Sequence, residues 1–303
     1  MYSIEIEQVT KTFNRFTAVN QLSLNVPKGS IYGFIGPNGS GKTTTIRMIM
    51  NIFYPDSGNI KILGKEHTGS THENIGYLPE ERGLYKKMKV GELLQFYGQL
   101  RKTNHINHKI DYWLKKLELG EWKDKKIEAL SKGMSQKIQF ISTIIHEPEI
   151  IILDEPFSGL DPVNADILKT AILELREKGA TIIFSTHDMN MAERMCDYIF
   201  MIYKGTKVLD GTLADIQDKY GSDTISLQTA NGAKALQGIN GIEKINDFGQ
   251  IQEIRIAENY DPQDILKAII NQSKVYKFEI TRPSLNDIFI RIARPVNGEL
   301  QQN

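Results

Sequence analysis

At 303 residues the chain is too long for one small domain; length points to two, with a single large α/β unit as the alternative. Apolar residues make up 40% and charged residues 24%, ordinary values for a globular protein with a real core. The 37 basic side chains cancel the 37 acidic ones, so no global charge recruits nucleic acid or an anionic membrane surface.

Cys196 is the single cysteine, which excludes an intrachain disulfide and fits a reducing compartment. Within "MAERMCDYIF" it reads as a small buried apolar residue. The start, "MYSIEIEQVT", alternates and carries no basic-then-apolar signal pattern. The longest apolar run, "EIIILDEP", falls far short of the roughly 20 residues that cross a bilayer, so no membrane span is expected.

In chain order, "SIEIEQVTKTF" and "AVNQLSLNVPKG" read as strands, and "SIYGFIG" as a short apolar strand that stops at glycine. "GPNGSGKTT" follows (Gly36, Pro37, Asn38, Gly39, Ser40, Gly41, Lys42, Thr43, Thr44) and opens a helix over "KTTTIRMIMNIF". Strand, G-x-x-x-x-G-K-[ST] loop and helix together form a phosphate cradle. Its glycines allow the tight turn that aims successive amides at phosphate oxygens, and the helix N-terminus adds a positive field. Lys42 reaches the β- and γ-phosphates in this reading, and Thr43 offers a hydroxyl to Mg²⁺.

"NIKILG" and "NIGYLPE" predict two further strands. Amphipathic helices then follow on Val90, Leu93, Leu94, Tyr97 and Leu100, and on Ile110, Trp113, Leu114 and Leu117. "TNHINHK" reads as a polar loop, so the ligand-like spacing of His105 and His108 is not taken as a metal site. "ALSKGMSQK" starts another helix: Ser131 is its N-cap, and Met134, Ile138, Ile141 and Ile145 form its buried stripe. Lys132 is out of place there, because a cation in a first turn opposes the helix dipole.

"IIILDE" is a strand buried on both faces that ends in two carboxylates. Asp154 is placed to hold Mg²⁺, and Glu155 to polarise water in line with a γ-phosphate. A helix over "PVNADILKTAILELREKG" leads to the strand "ATIIFSTH", whose tip puts His187 beside a γ-phosphate. "MNMAERMCD" is a helix, and "YIFMIYKGTKVLDG" completes the α/β pattern.

Beyond about Tyr220 the order is strand "TISLQT", short helix "AKALQ", strands "IEKIN" and "QIQEIRI" around Asp247, Phe248 and Gly249, a helix capped by Asp261 and Pro262, and strand "KVYKFEI". That β-α-β-β-α-β order predicts a small ferredoxin-like α+β unit. A closing helix over "PSLNDIFIRIA" precedes a frayed tail. The expected division is 1–220, with a helical part at about 88–145, then 221–292 and a flexible tail at 293–303.

Phosphate loop, "LSKGM", "ILDEP", "SGLD" and "STH", in that order, resemble the ATP-binding subunit of an ATP-binding cassette (ABC) transporter over roughly residues 2 to 220. The "PSLNDIF" unit resembles ATPase subunits of bacterial exporters for sodium or antibiotics that carry a small extra domain. The resemblance implies a P-loop NTPase (RecA-like) core with an N-terminal antiparallel β subdomain, ATP and Mg²⁺ as ligands, and a head-to-tail homo- or heterodimer around two ATPs. It implies too a separate integral membrane permease of an exporter, with the chain on the inner face of the cell membrane. No nucleic-acid partner is expected.

Position by position, the resemblance implies that Phe13 stacks on adenine, with Phe16 as competitor. It implies that Ser131 and Gly133 contact the γ-phosphate of the other protomer, that Asp161 couples the two sites, and that His187 is the switch histidine. Glu80 stands where the family has glutamine, and is expected to serve metal and water unless it is a surface acid paired with Arg82. "EERGLYKKMK" is a candidate permease contact. Lys132 stands where the family has glycine; it either reaches phosphates or acidic loops across a dimer, or is solvated. The alternative classes are a soluble ABC-type ATPase with a regulatory role and a hydrolytically dead binder, which the presence of Glu155 and His187 disfavours.

Overall fold

The computed structural model describes residues 1–66, 73–80, 83–220, 224–257 and 259–293. Two compact units divide the chain, 1–211 and 212–303. The divide therefore lies ahead of the expected 220/221. The helix α7 (Leu213–Lys219) is held by the later residues: Gln217 Nε2 donates to the Pro283 carbonyl at 3.0 Å, and Arg282 pairs with Asp218 at 2.9 Å.

The first unit opens with β1 (Tyr2–Phe13) and β2 (Phe16–Pro27), a hairpin turned at Asn14 with φ +53°. Beside it lie β4 (Ser57–Ile62) and the short β5 (Lys65–Glu66), in the antiparallel order β2-β1-β4-β5. Alternate residues Ile4, Ile6, Leu22, Leu24, Ile60 and Ile62 face the core. β5 has no apolar signature, which is why pattern reading passes over it.

A six-stranded sheet forms the second layer. Its order is β10 (Thr206–Gly211), β9 (Tyr198–Tyr203), β3 (Ile31–Ile35), β8 (Thr181–Thr186), β7 (Ile150–Asp154) and β6 (Ile75–Leu78). All neighbours run parallel except β10, which turns back on β9 as a hairpin at Lys204 and Gly205. Strands β3, β7 and β8 are buried at every position, as expected for a parallel sheet covered on both faces.

On one face α1 (Lys42–Ile49) packs with the antiparallel sheet around Phe34, Ile46, Met48 and Ile152. On the other lie α2 (Val90–Leu100), α3 (Ile106–Lys116), α4 (Lys132–Ile144) and α5 (Pro162–Glu177) around Ile141, Leu153, Leu168 and Phe184. α6 (Met189–Met195) links β8 to β9. Two local expectations change in this unit. α1 stops at Ile49, because Asn51 turns to φ +55° and the amides of Ile52 and Phe53 both bond back to Arg47 O. His108 lies on α3 and His105 is its left-handed N-cap residue, so this stretch is helical and not a loop. No metal-holding cluster of His, Cys, Asp or Glu occurs among the described residues.

The second unit is an antiparallel sheet, β12 (Ile242–Asp247), β13 (Gln252–Ile256), β11 (Thr224–Thr229), β14 (Val275–Thr281), in that order. α8 (Pro262–Gln272) packs Ile265 and Ile269 against Ile225, Leu227 and Ile254, and α9 (Leu285–Ala293) closes the unit. The first connection is a five-residue 3-10 segment, Gly232–Leu236, in place of the expected α-helix. Gly232 at φ +55° and the brevity of the stretch stop a longer helix from propagating there. The expected frayed tail and Arg82 lie outside the described residues.

Candidate functional site

The parallel strands β3, β8 and β7 are adjacent, and their carboxyl ends deliver three chain segments to one edge. That edge is the usual ligand position in an open α/β sheet. From β3 comes the glycine loop. Gly36 has φ +151°, and a β-carbon on it would stand 2.3 Å from the Ile202 carbonyl, so only glycine fits. Gly41 caps α1 at φ +113° without a side-chain bond, leaving the first-turn amides open to an anion. Ser40 Oγ is buried and has no hydrogen-bond partner among the described residues.

Lys42 is buried, and its Nζ donates to the carbonyls of Gly36 at 2.7 Å and Pro37 at 3.2 Å. Burial lowers its pKa, while Glu155, Asp154 and Glu80 pull it back up. The ammonium is thus folded onto its own loop and faces three carboxylates. A phosphate is the partner that would draw it outward.

From β7 come Asp154 and Glu155. Asp154 is buried; it accepts a short bond from Ser185 Oγ, and Thr43 Oγ1 lies 3.4 Å from its other oxygen. Burial raises the Asp154 pKa and Glu80 and Glu155 raise it further, against the Ser185 bond. Asp154 and the Thr43 hydroxyl thus present neighbouring hard oxygen donors, a pairing that suits a small divalent cation completed by phosphate and water oxygens.

Glu155 is buried and sits at φ +49°, a left-handed conformation that costs an ordinary residue about 1–2 kcal/mol. Such a conformation persists only where the surroundings fix it. Here its amide donates to Ser185 O at 3.1 Å and its own carbonyl accepts from Ser158 N at 3.2 Å. From β8, the backbone amide of His187 donates to Glu155 Oε1 at 3.0 Å, and ring Nδ1 lies 2.7 Å from the same oxygen. Thr186 Oγ1 reaches Oε2 at 3.4 Å.

These groups border a cleft of about 370 Å³ lined by Phe13, Phe16, Ala18, Asn38, Gly39, Gly41, Lys42, Thr43, Thr44, Glu80, Asp154 and Glu155. Both aromatics are at its mouth. Phe13 is 38% exposed and braced edge-on by Phe53 at 5.2 Å, whereas Phe16 is 63% exposed. Phe53 meets Phe13 because α1 ends early, which the sequence pattern did not reveal. Arg47 sits 5.8 Å from the Phe53 ring and also hydrogen-bonds Tyr77, whose pKa is pushed up to about 12 by burial and by Asp154.

Ser131, Lys132, Gly133 and Asp161 are not in this cleft. Ser131 caps α4, accepting from Met134 N at 3.2 Å. Asp161 caps α5, accepting from Val163 N at 3.1 Å and Asn164 N at 3.0 Å. The Lys132 ammonium lies 3.0 Å from where a β-carbon on Gly159 would stand. Pattern reading missed Ser185, Thr186 and Gln136. The only sequence signal for Gln136 is a polar residue beside the apolar stripe of α4.

The family profile described as "ABC transporter" matches residues 19–158, and that described as "ATP-binding protein DrrA1-3-like, C-terminal domain" matches 211–293. The chain is 39% identical over 289 residues to the uncharacterized ABC transporter ATP-binding protein YhaQ of Bacillus subtilis, covering 95% of this chain and 97% of that one. It is 30% identical to the linearmycin resistance ATP-binding protein LnrL of the same organism, over 95% and 97% of the two chains. Among solved structures, an ATP-binding subunit of an ABC transporter aligns with a TM-score of 0.68 at 29% identity, over 72% of this chain and 93% of that one.

Proposed function

Because this chain belongs to the ATP-binding subunits of ABC transporters and is therefore an ATPase, we propose that it is the motor of a membrane exporter, closing head-to-tail on a second ATPase subunit around two Mg²⁺-ATP. The observation that carries this reading is a split in the site. Lys42, Thr43, Asp154 and Glu155 meet in one cleft, whereas the α4 N-terminus with Ser131 and Gly133 stands outside it. An amide-rich helix end that lies outside the cleft suits a γ-phosphate held by a partner subunit.

In the proposed reaction the amides of Asn38 to Thr44 and the Lys42 ammonium hold the phosphates, with the adenine on Phe13 or Phe16. Thr43, Asp154 and Glu80 would hold Mg²⁺, which would supply charge neutralisation of the phosphates. Glu155 accepts the proton of a water as that water attacks the γ-phosphorus and ADP leaves. His187 orients the Glu155 carboxylate through Nδ1, at the strand tip beside the γ-phosphate. Asp161 belongs to the loop facing the partner subunit.

No helix among the described residues is long and apolar enough to cross a membrane; in this reading the path across it belongs to a separate permease. The candidate contact strip includes Tyr85, 57% exposed and edge-on to Phe96 at 6.0 Å, with Lys86, Lys87 and Lys89 beside it. The relative named for linearmycin resistance fits the export reading, and a place on the inner face of the cell membrane is part of the same proposal. The C-terminal unit is read as a structural module.

The test is hydrolysis together with partner capture. Lys42→Ala and Glu155→Gln should each cut turnover by at least about 10²-fold, Glu155→Gln should form ATP-dependent dimers, and the tagged chain should co-purify a multi-span membrane protein. Turnover that survives both substitutions, without any membrane partner, would sink the motor reading.

A further inference from the structure

One face of α4 lies along the loop that follows Glu155. Residues 132, 133, 136 and 137 share that face by helical spacing. Lys132 covers Gly159, and Gly133 abuts Leu160, whose Cδ2 lies 3.3 Å from where a β-carbon on Gly133 would stand. The Asp161 and Glu118 carboxylates bear on Lys137, which is buried. Phe157 and Leu160 pack into the same apolar cluster as Met134. Between these contacts Gln136, 1% exposed, donates from Nε2 to the carbonyl of Pro156, the residue directly after Glu155. Its Oε1 has no partner among the described residues, so the donor is the part of the amide that the site uses.

We infer that Gln136 is a positioning residue for hydrolysis: by holding the Pro156 carbonyl it keeps the strained backbone of Glu155, and hence its carboxylate, aimed at the water. The inference rests on Glu155 as the water-polarising acid. Ser185 O and Ser158 N hold Glu155 on the strand side and the loop side, and the Pro156 carbonyl is the third point. Its holder lies on the helix whose N-terminus carries Ser131. A displacement of α4 therefore reaches the acid through one hydrogen bond, with no movement of the glycine loop.

The experiment uses the full chain with Gln136→Leu and Gln136→Met, two side chains of similar volume without a donor. Single-turnover ATP hydrolysis, affinity for a fluorescent ATP analogue and thermal unfolding are read in wild type and in Glu155→Gln. The expected result is a fall in the hydrolysis rate of about tenfold to hundredfold with analogue affinity kept within about threefold. In Glu155→Gln the same substitutions should remove less than about twofold of the residual rate, because the group they act through is gone. A merely structural role predicts equal losses on both backgrounds. That outcome, or an unchanged rate in either folded variant, overturns the inference. Wild-type hydrolysis in Glu155→Gln alone overturns the role of Glu155 and this inference with it.

Discussion

The backbone amide of His187 and its ring Nδ1 converge on one oxygen of Glu155, at 3.0 and 2.7 Å. Two donors on one oxygen fix the carboxylate's rotamer and leave Oε2 to Thr186 and the cleft. Glu155→Gln should therefore cost about 10²–10⁴ in kcat, the range for losing a general base. His187→Ala should cost about 10–10² through lost orientation, with ATP affinity largely kept. Pre-steady-state phosphate release measures both; a His187→Ala effect confined to KM would contradict the geometry.

Lys132 gains a local explanation from its own chain. Its ammonium covers Gly159, in the loop between Glu155 and Asp161, although a cation in a first turn costs about 0.3–1 kcal/mol. Gly159 is at φ +77°, so Gly159→Ala should lower stability by about 1 kcal/mol in denaturant unfolding. Lys132→Glu should weaken ATP-driven association more than Lys132→Gly, because it sets a negative charge beside the partner's phosphates. Equal association in both would leave Lys132 with its intrachain packing alone.

Glu80 bears electrostatically on Asp154, Lys42 and Tyr77, so it belongs to the site's charge cluster. Glu80→Gln removes one negative charge from the oxygens offered to Mg²⁺. The Mg²⁺ concentration for half-maximal ATPase should rise several-fold, in proportion to lost attraction. An unchanged Mg²⁺ titration would assign Glu80 to the surface.

Glu174 on α5 accepts from Tyr112 and pairs with Lys116 at 2.5 Å and Lys178 at 2.7 Å, tying α3 to α5. Burial opposes ionisation, but the bonds from Lys116, Lys178 and Tyr112 hold its pKa down to about 2. A carboxylate depressed in this way stabilises fully above its unfolded value and loses that contribution only as pH falls toward 2. Between pH 6 and 8 the tie should respond to salt and not to pH. Glu174→Gln should lower stability by about 1–2 kcal/mol in urea unfolding, with α3 less protected in hydrogen exchange.

His146 behaves in the opposite sense. Burial and the nearby Arg101 lower its pKa to about 4. The folded protein binds fewer protons than the unfolded chain between about pH 6.5 and 4, so stability falls as pH drops through that window. His146→Gln should flatten the melting temperature between pH 7 and 5. An identical slope in the variant would show that other groups set the acid limit.

Much of the site was legible because phosphate chemistry imposes local rules. A tight turn needs Gly36 and Gly41, a cradle needs amides at a helix start, and a buried strand ending in Asp154 and Glu155 has few other uses. The apolar runs of β3, β7 and β8 announced a doubly covered sheet. Less local features were silent. Phe53 reaches Phe13 only because α1 breaks at Asn51, and His108 joined α3 although its neighbours are polar. Gln136 looks in sequence like one more polar residue of α4.

By itself, the sequence determined the order of the parallel strands' loops, the glycine cradle, the acids and the helix caps at Ser131 and Asp261. Each of these is written within a few consecutive residues, where φ/ψ demands and hydrogen-bonding rules act directly. Tertiary structure alone decided which segments meet: that β8 lies between β3 and β7, so Ser185 and His187 grip Asp154 and Glu155. It also laid the face of α4 against the loop after Glu155. Those pairings join residues far apart in the chain, and packing selects them only once the buried strands and helices have closed on one another.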